Sequence, residues 1–179
     1  MRLVATEYVT LDGVCEEPGH WSGPWFDDEA GQFKWAELQN SDALLLGRRT
    51  YEGFAAAWPT MPGTGDFGVK MNTMPKYVVT STRDKLDWPG SRVIKGDVAD
   101  EVRKLKQQPG KDLLLSGSAM LFNSMLKENL VDLYRFMVHP VALGHGQRLF
   151  TDDVRRELEL TDVKRFKKGI VVLEYVPAK

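Results

Sequence analysis

The stretch DALLLGRRTY, residues 42–51, decides the fold, because an apolar run typical of a buried strand stops at a glycine and two arginines follow. Gly47 permits a tight turn or a close backbone approach, and a helix that begins after it has unpaired N–H groups at its start. Arg48 and Arg49 carry planar donor groups that suit a phosphate. The stretch therefore predicts a phosphate-binding turn between a strand and a helix; the alternative is a solvated arginine pair.

A second turn of the same kind follows the apolar run Leu113-Leu114-Leu115. Here Ser116-Gly117-Ser118-Ala119 precedes the helical stretch 120–126, and such small residues allow an anionic group to lie on the backbone amides. The alternative is an ordinary helix capped by Ser116 or Ser118. Together, one cationic turn and one small neutral turn suit a dinucleotide that carries a pyrophosphate and a further phosphate.

Strand-like and helix-like segments alternate along the 179 residues, which predicts an α/β fold. The predicted strands are 2–10, 43–46, 77–80, 113–115, 132–139 and 170–176, and the predicted helices are 27–38, 49–57, 98–107 and 119–127. The consecutive strands near the C-terminus predict an antiparallel edge on an otherwise parallel sheet. Nothing marks a second domain, so residues 1–179 are expected to form a single domain with its ligand at the carboxyl ends of the strands.

Composition excludes several other classes of protein. A net charge of −1 argues against a nucleic-acid-binding surface, and no apolar stretch approaches the length of a membrane span. The single cysteine, Cys15, excludes an internal disulfide framework and fits a reducing compartment, and Glu16 beside it disfavours a nucleophilic thiolate. The three histidines show no metal-ligand spacing. We therefore expect a cytoplasmic protein without a metal.

Several further segments carry a resemblance to a known family. They are Thr10-Leu11-Asp12-Gly13, Tyr77 to Arg83, and Val138-His139-Pro140-Val141-Ala142-Leu143-Gly144-His145-Gly146-Gln147-Arg148-Leu149-Phe150. With the two glycine turns, they make the chain resemble the dihydrofolate reductase-like superfamily, especially its riboflavin-biosynthesis reductase branch. The resemblance implies a three-layer fold, with helices on both faces of a mostly parallel sheet, and hydride transfer from NADPH. No Gly-x-Gly-x-x-Gly motif follows the first strand, so a standard Rossmann domain is disfavoured.

The resemblance assigns the cofactor to both turns and to the end of the strand at 77–80. No acidic residue is placed to bind a free ribose 2′-hydroxyl, which favours NADP over NAD. The residues expected at the adenosine 2′-phosphate are Gly47, Arg48, Arg49, Thr50, Ser81, Thr82 and Arg83. Those expected at the pyrophosphate are Ser116, Gly117, Ser118, Ala119 and Met120.

The candidate catalytic residues are Asp12, Trp25 and Asp27. Asp12 matches the Leu-Asp-Gly motif of the riboflavin branch and is the preferred proton source, although Asp-Gly is also a common turn. Pro24-Trp25 resembles folate reductases, in which a carboxylate slightly further along binds the pterin. Asp27, with Asp28 and Glu29, is better explained as the start of a helix.

Two long loops and one histidine have open interpretations. The first loop, extending to about Asp27, carries Trp21, which either closes over a ligand or caps the core. The segment 59–76 is expected to be a mobile, structureless wall of the substrate pocket, with a subunit interface as the alternative. His139 is interpreted as a packed, hydrogen-bonded side chain rather than a base.

The sequence thus indicates an NADPH-dependent reductase of a small heterocyclic substrate. The closest named activity is 5-amino-6-(5-phosphoribosylamino)uracil reductase, although the chain shows no clear basic cluster for a sugar phosphate. The alternatives are a dihydrofolate or pteridine reductase and a non-catalytic nucleotide-binding dimeric module. Apolar residues in 133–138 and 169–173 exceed what one small core readily covers, so a homodimer is expected.

Overall fold

An eight-stranded sheet forms the centre of the molecule, of which the computed structural model describes residues 1–151 and 155–178. The strands are β1 (Arg2–Thr10), β2 (Ser41–Gly47), β3 (Lys76–Val79), β4 (Ser91–Ile94), β5 (Asp112–Ser116), β6 (Leu133–His139), β7 (Leu158–Arg165) and β8 (Val171–Pro177). Their order is β4-β3-β2-β5-β1-β6-β8-β7. Strand β8 runs antiparallel to β6 and β7, whereas β1 to β6 pair in parallel. The predicted α/β class and antiparallel edge are confirmed.

Five α-helices pack around the sheet: α1 (Asp28–Gln39), α2 (Arg48–Ala57), α3 (Gly65–Thr73), α4 (Val98–Gln107) and α5 (Ala119–Lys127). The prediction that 59–76 is structureless was wrong, because α3 forms within it. Gly65 and Gly68 lower helix propensity. The helix forms because Phe67 and Met71, one turn apart, both pack in the same apolar cluster. Strands β4 and β7 were also missed, since β4 has four residues and β7 is exposed along most of its length.

The sheet is buried between two layers of helices. On one face of the sheet, Leu45 and its neighbours pack in an apolar cluster with residues of α4 and α5, such as Phe122. Leu44 and Leu46 pack on the opposite face with residues of α1, α2 and α3. Each such buried leucine contributes roughly 1.5–3 kcal/mol, so the apolar runs read from the sequence fix the central strands in place.

Parallel pairing brings the carboxyl ends of the central strands to one edge. Thr6 of β1 lies opposite Ser116 of β5, and Gly47 of β2 lies opposite Val79 of β3. The turns that follow β2, β3 and β5 therefore share one side of the sheet, as expected for a ligand site in such a fold. Within the described part of the chain, no helix combines the length and apolarity needed to cross a membrane.

Candidate active site

The two glycine turns predicted from the sequence lie in direct contact. A Cβ atom on Gly47 would lie 2.7 Å from the Cβ of Ser118, and a Cβ on Gly117 would lie 2.9 Å from both Oγ1 and Cγ2 of Thr50. Gly117 also has a positive φ of 64°, which L side chains rarely adopt. Both glycines are therefore needed for the start of α2 to pack against the start of α5.

A cleft with a volume of about 1540 Å³ opens beside these turns. The start of α5 supplies N–H groups, and the Ser118 hydroxyl already accepts one of them, from Leu121 at 3.4 Å. The residues of the two turns and of the β3 end that line the cleft are Gly47, Arg48, Arg49, Thr50, Ser81, Ser116, Gly117, Ser118, Ala119 and Met120. An extended anionic ligand fits this arrangement of N–H groups at a helix start and nearby cations.

The cationic side of the cleft is organised by Glu52. Arg83 Nε donates to this carboxylate at 2.8 Å, and Arg48 Nη1 donates to both of its oxygens at 3.2 and 3.3 Å. Hydrogen bonds from Arg83 and Arg48 lower the pKa of Glu52. Arg49 is exposed and makes no ion pair or hydrogen bond with any described residue. Arg49 is therefore the arginine most available to a ligand phosphate.

Thr82 and Arg83 lie outside the lining of the cleft, unlike the other residues expected to bind the cofactor. The Thr82 N–H is bonded to the Thr80 hydroxyl at 3.2 Å, and Arg83 reaches the site through Glu52. Binding of a cofactor by any of these residues stays a prediction.

Asp12 is placed differently from the sequence expectation. Its carboxylate lies outside the cleft lining and accepts hydrogen bonds from the Thr10 hydroxyl at 2.5 Å, the Gly144 N–H at 2.7 Å and the Leu143 N–H at 3.2 Å. These donors lower the pKa of Asp12 to about 2. The group is ionised at neutral pH and ties two loops together, which fits the turn-forming interpretation, and a catalytic role for Asp12 stays a prediction.

Trp25 and Asp27 also lie outside the lining of the cleft. Asp27 caps α1, because its carboxylate accepts the Ala30 N–H at 3.1 Å. Trp25 contacts the buried His139, with ring centroids 6.5 Å apart. The helix-start interpretation of Asp27 is the one that the structure supports.

The first loop folds back on the protein through Trp21. Its indole N–H donates to the Glu16 carbonyl at 2.8 Å, and its ring packs edge-on against His139 at 5.1 Å. His139 is fully buried, its Nδ1 lies 2.9 Å from the Met137 carbonyl, and burial lowers its pKa. Both residues therefore cap the core, which confirms the packed interpretation of His139.

Glu7 lines the cleft but is absent from the sequence candidates. It is 3% exposed, and its Oε1 has no hydrogen-bond partner among the described residues. Burial raises the pKa of Glu7 to about 8, against the opposing effects of the Lys34 charge and the Gly117 N–H. The available signal was a charged residue on the same β1 face as the apolar Leu3 and Ala5.

A second buried glutamate, Glu37 of α1, has the opposite electrostatics. It forms ion pairs with Lys34 and, at 3.0 Å, with Arg135, while Lys34 also donates to the Thr6 hydroxyl at 3.0 Å. Burial alone would raise the pKa of Glu37, but the charges of Lys34 and Arg135 lower it. Thr6, Lys34 and Glu37 form the polar floor of the cleft.

Apolar side chains form the end of the cleft remote from the two turns. The Trp58 and Phe67 rings stack at 5.3 Å, and Phe54 packs edge-on against Trp58 at 6.3 Å. Phe26 and Met61 also line the cleft. We call these five residues the aromatic wall. The 59–76 segment thus contributes to the cleft wall, as predicted, through Met61 and α3.

Cys15 also lines the cleft, and burial raises the pKa of its thiol to about 12. A reactive thiolate is therefore excluded at neutral pH, as the sequence indicated. No group of three or more metal-ligating side chains occurs in residues 1–151 and 155–178.

Comparisons with known proteins agree with the fold and extend over its whole length. The family model described as the RibD C-terminal domain matches residues 2–172. The uncharacterized protein YyaP of Bacillus subtilis (strain 168) is 31% identical over 179 residues, covering 97% of this chain and 94% of YyaP.

Two solved structures share the fold at lower identity. A putative riboflavin biosynthesis protein from Shewanella sp. PV-4 has a TM-score of 0.79 and 19% identity, with 100% of both chains covered. Dihydrofolate reductase from Enterococcus faecalis, solved with NADP(H) and RAB-propyl, has a TM-score of 0.68 and 17% identity, with 99% of this chain and 97% of that chain covered.

Proposed function

The chain belongs to the RibD C-terminal domain family, which supports a reductase role, and from that premise we propose an NADPH-dependent reductase of a small heterocyclic substrate. The observation that carries this proposal is the contact between the two glycine turns at one end of a large cleft. One turn offers cations and the other offers backbone amides, which suits the two kinds of phosphate in NADPH.

The proposal assigns the pyrophosphate to the start of α5, at residues 116–120. The adenosine 2′-phosphate is assigned to Arg49 and Ser81, with Arg48 held beside them by Glu52. Since the carboxylate of Glu52 is already paired with Arg48 and Arg83, it is not available to bind a free ribose hydroxyl.

The reaction requires hydride and proton delivery to opposite ends of one double bond. A bound NADPH would supply a hydride for a C=N or C=O carbon, and the chain's own residues would have to provide the proton that completes the neighbouring nitrogen or oxygen. Glu7 keeps its proton at neutral pH because of its burial, whereas Asp12 does not. Because Glu7 also lines the cleft, whereas Asp12 does not, we propose Glu7 as the proton source.

The proposal names a class of substrate rather than one compound. The 5-amino-6-(5-phosphoribosylamino)uracil reductases are the reference activity that the sequence resemblance gives, and the shared fold with a riboflavin biosynthesis protein is consistent with it. The half-buried free thiol of Cys15 and a requirement for NADPH both fit a cytoplasmic location.

A homodimer also stays a proposal, but on a different surface from the one expected. Residues 133–138 and 170–173 are largely covered within one chain, whereas Leu160 and Val163 on the edge strand β7 are 50% and 51% exposed. An exposed edge strand with apolar side chains is a common pairing surface.

Calorimetry with NADPH and NADH tests the proposed function. We expect NADPH to bind at least about tenfold more tightly, because a charge-assisted contact contributes roughly 1.5–3 kcal/mol. Arg49→Ala should remove most of that preference, and Arg92→Ala, an exposed arginine on β4 outside the cleft, should leave it unchanged. Equal affinities of the unmodified protein for the two cofactors would contradict the assignment.

A further inference from the structure

The cleft has two chemically different ends, which are separated by the length of α2. Arg48 begins this helix and Trp58 follows its last turn, so the two residues are about 15 Å apart along the helix axis. The cationic turn therefore lies at one end of the cleft and the aromatic wall at the other. If the dinucleotide occupies the turns, as proposed above, the aromatic wall is left for the substrate.

The aromatic wall exposes apolar surface that a soluble protein normally buries. Phe26 is 38% exposed and Met61 is 43% exposed, and both belong to the cleft. Trp58, Phe67 and Phe54 form a continuous set of ring contacts and line the same cleft. Exposed apolar side chains in a cleft mark a ligand-binding site, and flat aromatic faces favour a flat ligand.

No unpaired cation is found at the aromatic end among the described residues. The cations that line the cleft are Lys34, Arg48, Arg49 and Lys95. Lys34 is held by Glu37 and Thr6 and lies 5.5 Å from the centre of the Tyr8 ring. The other three belong to the turns after β2 and β4, at the proposed cofactor end.

The acidic group of the polar floor takes up the cation beside it. The buried Glu37 is paired with Lys34 and Arg135, so Lys34 is not free to bind a ligand phosphate. A phosphate placed against the aromatic wall would lose its hydration without gaining a free cation, which is strongly unfavourable.

The polar floor offers one directional contact to a flat ring. Thr6 Oγ1 accepts the Lys34 ammonium at 3.0 Å, so the Thr6 hydroxyl keeps its own hydrogen to donate. Lys34 and Glu37 hold each other in place by their ion pair. A ring carbonyl or ring nitrogen is the complementary acceptor for the hydroxyl.

From these contacts, and on the basis of the proposed function, we infer that the substrate is a flat conjugated ring without a phosphate group. It stacks on the aromatic wall and accepts a hydrogen bond from Thr6. This substrate class differs from the phosphoribosyl compound that the sequence resemblance suggests.

Riboflavin and FMN provide a matched pair of probes, because they share one flat ring system and differ by a phosphate. Each is titrated into the NADP⁺-loaded protein, and binding is followed by flavin fluorescence anisotropy. We expect riboflavin to bind at least about tenfold more tightly than FMN. Trp58→Leu should weaken riboflavin binding about tenfold, whereas Trp35→Leu should not, since Trp35 contacts Phe67 from outside the cleft.

Met61→Arg adds a cation at the exposed rim, and it should shift the ratio of FMN affinity to riboflavin affinity about tenfold towards FMN. Equal or tighter binding of FMN to the unmodified protein, or no binding of riboflavin, would overturn the inference. A failure of NADP⁺ to bind in a separate titration would instead overturn the proposed function. In that case, the affinities of riboflavin and FMN for the protein without NADP⁺ test whether the aromatic wall binds a flat ring without a phosphate.

Discussion

Replacing Glu7 by Gln should change the pH dependence of stability in a direction opposite to that expected for a carboxylate held in an ion pair. In the folded protein, burial raises the pKa of Glu7 from 4.5 to about 8. Between these two values the unfolded chain releases a proton that the folded chain retains, so the free energy of unfolding falls as the pH rises. Gln keeps the shape and cannot ionise. The variant should therefore gain stability relative to the unmodified protein as the pH increases.

The size of the effect follows from the same shift. Each pH unit between the unfolded and folded pKa values corresponds to about 1.4 kcal/mol, which sets an upper limit on the order of 5 kcal/mol for the full interval. Below about pH 4 both states are protonated and the difference vanishes. Above the folded pKa both states are ionised and the difference becomes constant. A gain of about 2–5 kcal/mol between pH 5 and pH 8 is expected.

Glu37→Gln is the matched control, since Glu37 is equally buried but pairs with two cations. Its substitution leaves Lys34 without its carboxylate, while Arg135 keeps only the ion pair with Glu174 at 2.8 Å, and it should cost about 3–5 kcal/mol at neutral pH. Because the folded pKa of Glu37 is lowered, its contribution is lost as the pH falls through that value.

Urea unfolding of the three proteins at several pH values between about 5 and 8 measures these differences directly. A stability difference between Glu7→Gln and the unmodified protein that does not change with pH would refute the reasoning. The reasoning would also fail if, at alkaline pH, Glu7→Gln lowered the free energy of unfolding as much as Glu37→Gln does.

Three further predictions concern the turn, the loop and the edge strand. Gly117→Ala should destabilise the protein by about 1–3 kcal/mol in thermal unfolding and weaken NADPH binding, because the new Cβ meets Thr50 at a positive φ. Asp12→Asn should leave turnover on an identified substrate within a few-fold of normal, since its carboxylate binds loop amides outside the cleft; a 100-fold loss would restore Asp12 as the proton donor. Leu160→Asp should convert a dimer into a monomer in light scattering, and a protein that is monomeric before the substitution would contradict the proposed edge contact.

The sequence predicted those parts of the fold that depend on local pattern. A glycine ends β2 and another directly follows β5, so both turns and their common edge followed from strand-to-helix spacing. Helix α3 and strand β7 could not be predicted in this way. Two glycines weaken the helical pattern of α3, and β7 forms by pairing with β8 rather than by burial of its own side chains.

The candidate site was less predictable, because side-chain roles depend on partners distant in the chain. Asp12 fits a family motif, but its carboxylate is bound by the amides of Leu143 and Gly144, which lie far away in sequence. Glu7 appears as an ordinary polar residue in a strand, and only the packing of the sheet shows that it is buried and lines the cleft.

A crystal structure of the protein soaked with NADPH tests the central claim most directly. The account predicts that the pyrophosphate lies on the N–H groups of residues 116–120, with the 2′-phosphate within hydrogen-bond distance of Arg49 and Ser81. The nicotinamide should face the cleft between the turns and the aromatic wall. A cofactor bound away from the two glycine turns, or electron density absent at millimolar NADPH, would contradict the account.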